Sequence, residues 1–277
     1  GSSLTSFIIT HGDTLVVGKL MGAGLLGIYN LAWQTSNMVS KNVVNLGSRL
    51  FFPMLAAVSH DRNRMVFVLR RLLRILSAIA FPALVGLFVL ADDFIYVVYG
   101  EKWSEAVLPL RILIIYAIRY SVGSPLGPVL KALGRPDIIF KLGLITIPFY
   151  AVAIWGGSAY GLVGVALGVT VVRTFFGMMT FVVTARQLGV ATRCLIEPTR
   201  SAMLGAIFMG IIVFFVGVAW DMGDPGYSVV RLLLQSCIGA FIYVLTIRFL
   251  FRDLALELAR LSGQLFGKRA SFLNRIL

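Results

Sequence analysis

Runs of about 20 apolar residues, closed by turns and alternately by basic loops, recur along this chain of 277 residues. From Ser201 to Trp220, for instance, no side chain carries a charge. A helix of that length spans the ~30 Å hydrocarbon layer of a bilayer, at about 1.5 Å of rise per residue. Hydrocarbon offers no partner to backbone N–H and C=O groups, and a helix satisfies them within one segment. A soluble alternative fails on composition. Apolar residues make up 58% of the chain, charged residues 13%, and the mean hydropathy is +0.91. A soluble domain of this length would leave too much of that surface in water. The expected class is all-α: a polytopic membrane helix bundle of about eight transmembrane helices.

The apolar pattern places helices at 4–20, 25–57, 67–91, 105–133, 138–155, 160–187, 200–220 and 227–251. The second and fourth exceed a simple span and must tilt, kink or run on into the cytoplasm. Gly123, Pro125, Gly127 and Pro128 supply a break or kink in the fourth. Turn chemistry at Gly134-Arg135-Pro136, at Gly156-Gly157-Ser158 and over 221–226 separates later spans.

Charge gives the orientation. Loops after alternate helices hold Arg62, Arg64, Arg70, Arg71 and Arg74, then Lys131, Arg135 and Lys141, then Arg186, Arg193 and Arg200. The intervening loops carry Asp92, Asp93, Glu101 and Glu105, then no charge, then Asp221 and Asp224. Cytoplasmic loops collect Lys and Arg, so both ends of this chain are expected inside the cell. The same rule accounts for the net charge of +13 without nucleic acid, for which no binding motif is present. Beyond residue 251, Leu254, Leu258, Leu261 and Leu265 recur at helical spacing among charged residues. They form either an amphipathic helix on the inner leaflet or an ordinary soluble tail. Cys194 and Cys237 give neither a disulfide framework nor metal spacing. The chain opens Gly1-Ser2-Ser3, with no initiating Met and no signal-peptide pattern. The expectation is a segment of a longer protein.

Polar groups inside spans are costly and mark interiors or aqueous cavities. In the second helix, Asn30, Gln34, Asn37, Lys41, Asn45 and Ser48 recur every three or four residues and share one face, flanked by Arg49. Such a stripe faces a wet cavity or forms interhelical hydrogen bonds; the depth of Lys41 favours the cavity. In the first helix, Asp13 lies among Ser6, Thr10 and Thr14, beside His11. It pairs with a cation or binds a coupling ion. Arg111 and Arg119 in the fourth helix, and Arg173 in the sixth among small polar residues, complete a set of five cations. One deep carboxylate, Asp13, faces them. The excess calls for an anion, and a planar guanidinium fork suits phosphate oxygens, diphosphate in particular. No Gly-rich phosphate loop, nucleophile elbow or His-Glu zinc motif is present. The chain therefore reads as a non-enzyme with no cofactor and no metal, for which ATP is not the direct energy source.

The run from His11 to Gly22, followed by Leu26-Gly27-Ile28-Tyr29-Asn30-Leu31-Ala32, resembles the start of the second half of bacterial polysaccharide flippases. Phe52-Pro53-Met54-Leu55, Tyr99-Gly100-Glu101-Lys102-Trp103 and Ala132-Leu133-Gly134-Arg135-Pro136 fit the same pattern in order and spacing over residues 11–142. The family belongs to the multidrug/oligosaccharidyl-lipid/polysaccharide flippase superfamily. The resemblance implies two pseudo-symmetric six-helix bundles and a C-terminal helix pair. This chain would supply the second bundle (1–190), the pair (191–252) and a cytoplasmic amphipathic tail (253–277), with the first bundle missing. It implies alternating-access movement of an undecaprenyl-diphosphate-linked oligosaccharide from the cytoplasmic to the outer leaflet of the bacterial inner membrane. Lys41, Arg49, Arg111, Arg119 and Arg173 would attract the headgroup, beside the stripe of Asn30, Gln34, Asn37 and Asn45. Asp13 would serve in ion coupling or charge pairing. Partners would be the bilayer and the polymerase and export proteins of polysaccharide synthesis. Rival expectations are a peptidoglycan-precursor flippase, a multidrug antiporter, disfavoured by the cationic excess, and a non-transporting subunit of a polysaccharide assembly complex.

Overall fold

The computed structural model describes residues 2–58, 61–221 and 228–250, and the regular structure within them is entirely helical. Helix α1, Ser2–Ala57, is kinked at Gly22, whose φ of 86° and ψ of 172° leave the helical region. Glycine takes a positive φ without steric cost, so one residue replaces the expected loop between 4–20 and 25–57. Helix α2, Arg62–Val89, begins before the expected residue 67. Asp61 caps it by accepting from the backbone N–H groups of Asn63 (3.0 Å) and Arg64 (3.1 Å).

The acidic segment expected as an outer loop contains a short helix, α3 (Ala91–Val98), and a 3-10 turn, Glu101–Ala106. The long fourth span is broken at its Gly/Pro cluster, as expected, into α4 (Val107–Gly123) and α5 (Leu126–Ala132). Helix α6, Pro136–Ser158, opens on a proline whose missing N–H has no role in a first turn. Helix α7 is Gly161–Leu188 and α8 is Thr192–Ile196; α9 (Arg200–Asp221) and α10 (Val229–Leu250) follow. Among the described residues, six segments are long and apolar enough to cross a membrane: Arg62–Val89, Glu101–Ala132, Pro136–Ser158, Gly161–Leu188, Thr192–Trp220 and Val229–Phe249. They coincide with the last six expected spans, and the limbs of α1 with the first two. The chain is a multi-pass membrane protein. The expected amphipathic tail lies outside the described residues.

Helix α1 packs on α2, α4 and α6, and α7 packs on α4 and α6. Tyr29, Leu69, Leu73, Leu110, Leu113 and Val165 are fully buried where these helices meet. The approach of α6 to α7 is close: a Cβ added to Gly168 would lie 2.6 Å from the carbonyl oxygen of Ala153. Small residues at such crossings let backbones pack in lipid, where hydrophobic burial gives no drive. Outside, Phe149, Trp155, Phe175 and Phe215 are exposed, as suits side chains facing hydrocarbon. Helices α9 and α10 pack on each other; α9 docks on α2, and α10 reaches α3.

Candidate functional site

Four helices converge on Arg173 of α7, which is buried. Its guanidinium carbon lies 4.5 Å from the ring centroid of Trp33 on α1, 4.9 Å from that of Tyr150 on α6 and 5.1 Å from that of Tyr116 on α4. Its terminal nitrogens donate to the hydroxyls of Tyr150 (2.6 Å) and Tyr116 (3.3 Å). Trp33 and Tyr116 are themselves stacked, 5.7 Å apart and 9° from parallel. These ring faces and hydroxyl oxygens solvate the cation.

Arg119 lies one turn after Tyr116 on α4, its guanidinium 5.3 Å from the Tyr116 ring. The group rests against Gly177 of α7. A Cβ on Gly177 would overlap it, and one on Gly123 would stand 3.2 Å from a terminal nitrogen. The Arg119 Nε is buried with no hydrogen-bond partner. Both arginines line a cavity of about 440 Å³ among α1, α4, α5, α6 and α7, walled also by Tyr116, Tyr120, Thr146 and Thr180. Two guanidiniums on aromatic and hydroxyl walls make a chamber suited to an anion with polar, ring-shaped attachments.

The other expected cations fall elsewhere. Arg111 forms an ion pair with Asp92 of α3, and its Nε donates to the Phe88 carbonyl at 3.2 Å. Arg111 and Arg119 are eight residues apart, and at about 100° per residue the two drift some 80° around the helix. Arg111 also stands at the acidic end of α4, so it finds a carboxylate rather than the chamber. Lys41 is exposed on α1 and is not part of the chamber wall. The side chains of Asp13 and Arg49 lie outside the described residues.

Along the polar stripe, Gln34 and Asn45 are exposed and Asn30 is half-buried. Asn37 turns inward and donates to the carbonyl of Trp33 on its own helix at 2.9 Å. Thr35, Ser36 and Ser40 are buried beside it. The stripe is thus divided between an open flank and inward-facing positions.

Sequence reasoning missed the aromatic cage of Trp33, Tyr116 and Tyr150, because aromatic residues in apolar spans look like ordinary lipid-facing bulk. The available signal was Tyr116, at helical spacing three residues before Arg119 and four before Tyr120. It also missed Arg231, whose Nε pairs at 3.1 Å with the buried Asp93.

Residues 1–108 match the family described as polysaccharide biosynthesis protein. The lipopolysaccharide biosynthesis protein WzxC of Escherichia coli (strain K12) is 32% identical over 67% of this chain and 38% of its own length. The succinoglycan biosynthesis transport protein ExoT of Rhizobium meliloti (strain 1021) is 27% identical over 94% of this chain and 53% of its own length. Among solved structures, the lipid II flippase MurJ in an inward closed conformation superposes with a TM-score of 0.72 at 19% identity. That match covers 92% of this chain and 53% of the other and concerns the fold. The chain spans between about two fifths and just over half the length of these relatives. The resemblance over residues 11–142 is borne out.

Proposed function

We propose that this chain, similar in sequence to polysaccharide-biosynthesis membrane proteins and in fold to a lipid flippase, is the second half of a polysaccharide flippase. It helps carry an undecaprenyl-diphosphate-linked oligosaccharide from the cytoplasmic to the outer leaflet of the bacterial inner membrane. It is a transporter part and performs no covalent chemistry. Residues 1–190 form its six-helix bundle and 191–252 its C-terminal pair; both ends of this chain lie on the cytoplasmic side. Polymerase and export proteins of the same polysaccharide are its working neighbours.

The observation that carries this reading is the pair Arg119 and Arg173 in one chamber, held by aromatic rings and glycines. A cation drawn from water at membrane depth costs several kcal/mol, and a diphosphate headgroup offsets that cost when it enters. Tyr120, on the chamber wall beside Arg119, offers a ring against which a sugar packs. Exposed Lys41 and Gln34 extend the polar flank on α1, where a second bundle would close the aqueous path. A cationic drug would be repelled from this chamber, which disfavours the multidrug antiporter.

The test uses the intact protein in vesicles holding a fluorescent polyprenyl-diphosphate oligosaccharide. Arg119→Gln and Arg173→Gln should each slow translocation about tenfold or more, the loss expected for a charge-assisted phosphate contact. The amount of protein in the membrane should stay unchanged. Translocation at the wild-type rate with both arginines replaced would sink the proposal.

A further inference from the structure

The chamber wall changes character along α4 and α5. Tyr116, Arg119, Tyr120, Gly123 and Gly127 all line it. Ser124 and Pro125, which join the two helices, keep near-helical backbone angles, so these positions share one face. Rings and a guanidinium fill the first turns of that face, and at Gly123 and Gly127 it is bare. The two glycines are not equivalent. Room beside Gly123 is taken by Arg119, since a Cβ there would stand 3.2 Å from a terminal nitrogen of that guanidinium. A Cβ added to Gly127 would meet no atom within 4 Å among the described residues, its chain neighbours and own helix turn aside. The φ of Gly127 is not positive, so the backbone angle does not demand glycine there. Across the cavity the wall is again small, with Gly143 of α6 and Thr180 of α7.

The chamber therefore has a charged, ring-lined end and a bare end. The bare end lies toward the turn between α5 and α6, beside Lys131 and Arg135. The Arg119 guanidinium rests against Gly123, and four residues of helix rise about 6 Å. Gly127 thus stands one turn beyond the cation, at the place of a group attached to a bound phosphate rather than of the phosphate itself. We propose that Gly127 sets the size of headgroup the chamber admits. The space its side chain would fill holds sugar of the lipid-linked oligosaccharide while the phosphate meets Arg119. The inference rests on the anion-chamber reading above. Bulk at 127 would exclude a large headgroup by overlap, whatever its charge.

In the experiment the intact protein in vesicles is given two polyprenyl diphosphates with the same first sugar. One carries that sugar alone and the other a branched oligosaccharide. Translocation is read by exposure of the sugar to membrane-impermeant periodate. Gly127→Phe should lower transport of the oligosaccharide lipid about tenfold or more relative to the single-sugar lipid, the scale of overfilling a fitted pocket. Pro128 follows, and any Cβ at 127 crowds its ring. Gly127→Ala carries that strain with little bulk and should keep the ratio between the lipids within about twofold of wild type. If phenylalanine prevents folding, Gly127→Cys in a protein with Cys194 and Cys237 replaced serves instead. The folded protein is treated with methanethiosulfonates from methyl to benzyl, and the ratio should fall stepwise with the size of the added group. A ratio that stays at the wild-type value with phenylalanine or the benzyl adduct in place overturns the role of Gly127. If Arg119→Gln slows neither lipid, the chamber reading itself falls. If Arg119→Gln slows both while bulk at 127 leaves the ratio unchanged, only the size limit is lost.

Discussion

At position 173 a guanidinium sits among three aromatic rings, and at position 111 one sits on a carboxylate. Both are single arginines in apolar runs, so their one-dimensional surroundings are alike. Their difference is chemical. Arg111 meets a carboxylate of α3, whereas aromatic rings and tyrosine hydroxyls line the guanidinium of Arg173. Tyr150→Phe tests this division, because it removes the 2.6 Å hydrogen bond to Arg173 and keeps the ring. A hydrogen bond to a charged group is worth about 1.5–3 kcal/mol. Thermal unfolding in detergent should fall accordingly, while Tyr150→Leu, which also removes the ring, should cost more. No loss in Tyr150→Phe beside a clear loss in Tyr150→Leu would assign the cage to packing alone.

Among the elements, α3 carries a load out of proportion to its length. Asp92 and Asp93, adjacent in its first turn, reach different helices: Asp92 pairs with Arg111 of α4 and Asp93 with Arg231 of α10. The second pair is buried on both sides, with side chains 5% and 7% exposed. It therefore fastens the C-terminal helices to the bundle through α3. Arg231→Met leaves a buried carboxylate without its guanidinium and should destabilise by about 3–5 kcal/mol. Replacing both partners, as Arg231→Met/Asp93→Leu, should recover most of that loss, since no unpaired charge remains. Chemical denaturation of the purified protein separates these outcomes. The α6–α7 contact makes a similar claim by sterics: Gly168→Leu should force the helices apart, because the nearest atom is backbone and cannot yield. Reduced protein in the membrane, measured by quantitative immunoblot, is the expected readout.

For the molecule as a whole, the governing fact is the number of large apolar side chains on its outside, Trp155 and Phe215 among them. Only a lipid surround makes that surface favourable. The basic and acidic segments then predict sidedness. With Cys194 and Cys237 replaced, a cysteine at exposed position 63 should react with a membrane-impermeant thiol reagent only when the cytoplasmic face is accessible. A cysteine at exposed position 101 should react from outside intact cells. Labelling in the reverse sense would invert the orientation.

Much of this architecture was present in the order of residues. Run length against bilayer thickness located the spans to within a few residues over α4 to α10. The cluster around Pro125 announced the break between α4 and α5. These features are local, since backbone satisfaction in hydrocarbon and turn chemistry act over a few neighbours. Arg119 and Arg173 were also visible, because a lone cation in an apolar run stands out. What only the tertiary structure decided is which cations share a chamber and which are neutralised. Arg111 meets Asp92 nineteen residues away, Arg173 meets Trp33 of a distant helix, and Gly177 makes room for an arginine from α4. Partners of that kind are set by how helices cross and rotate against one another, and the periodicity of a single helix carries no record of its neighbour's angle.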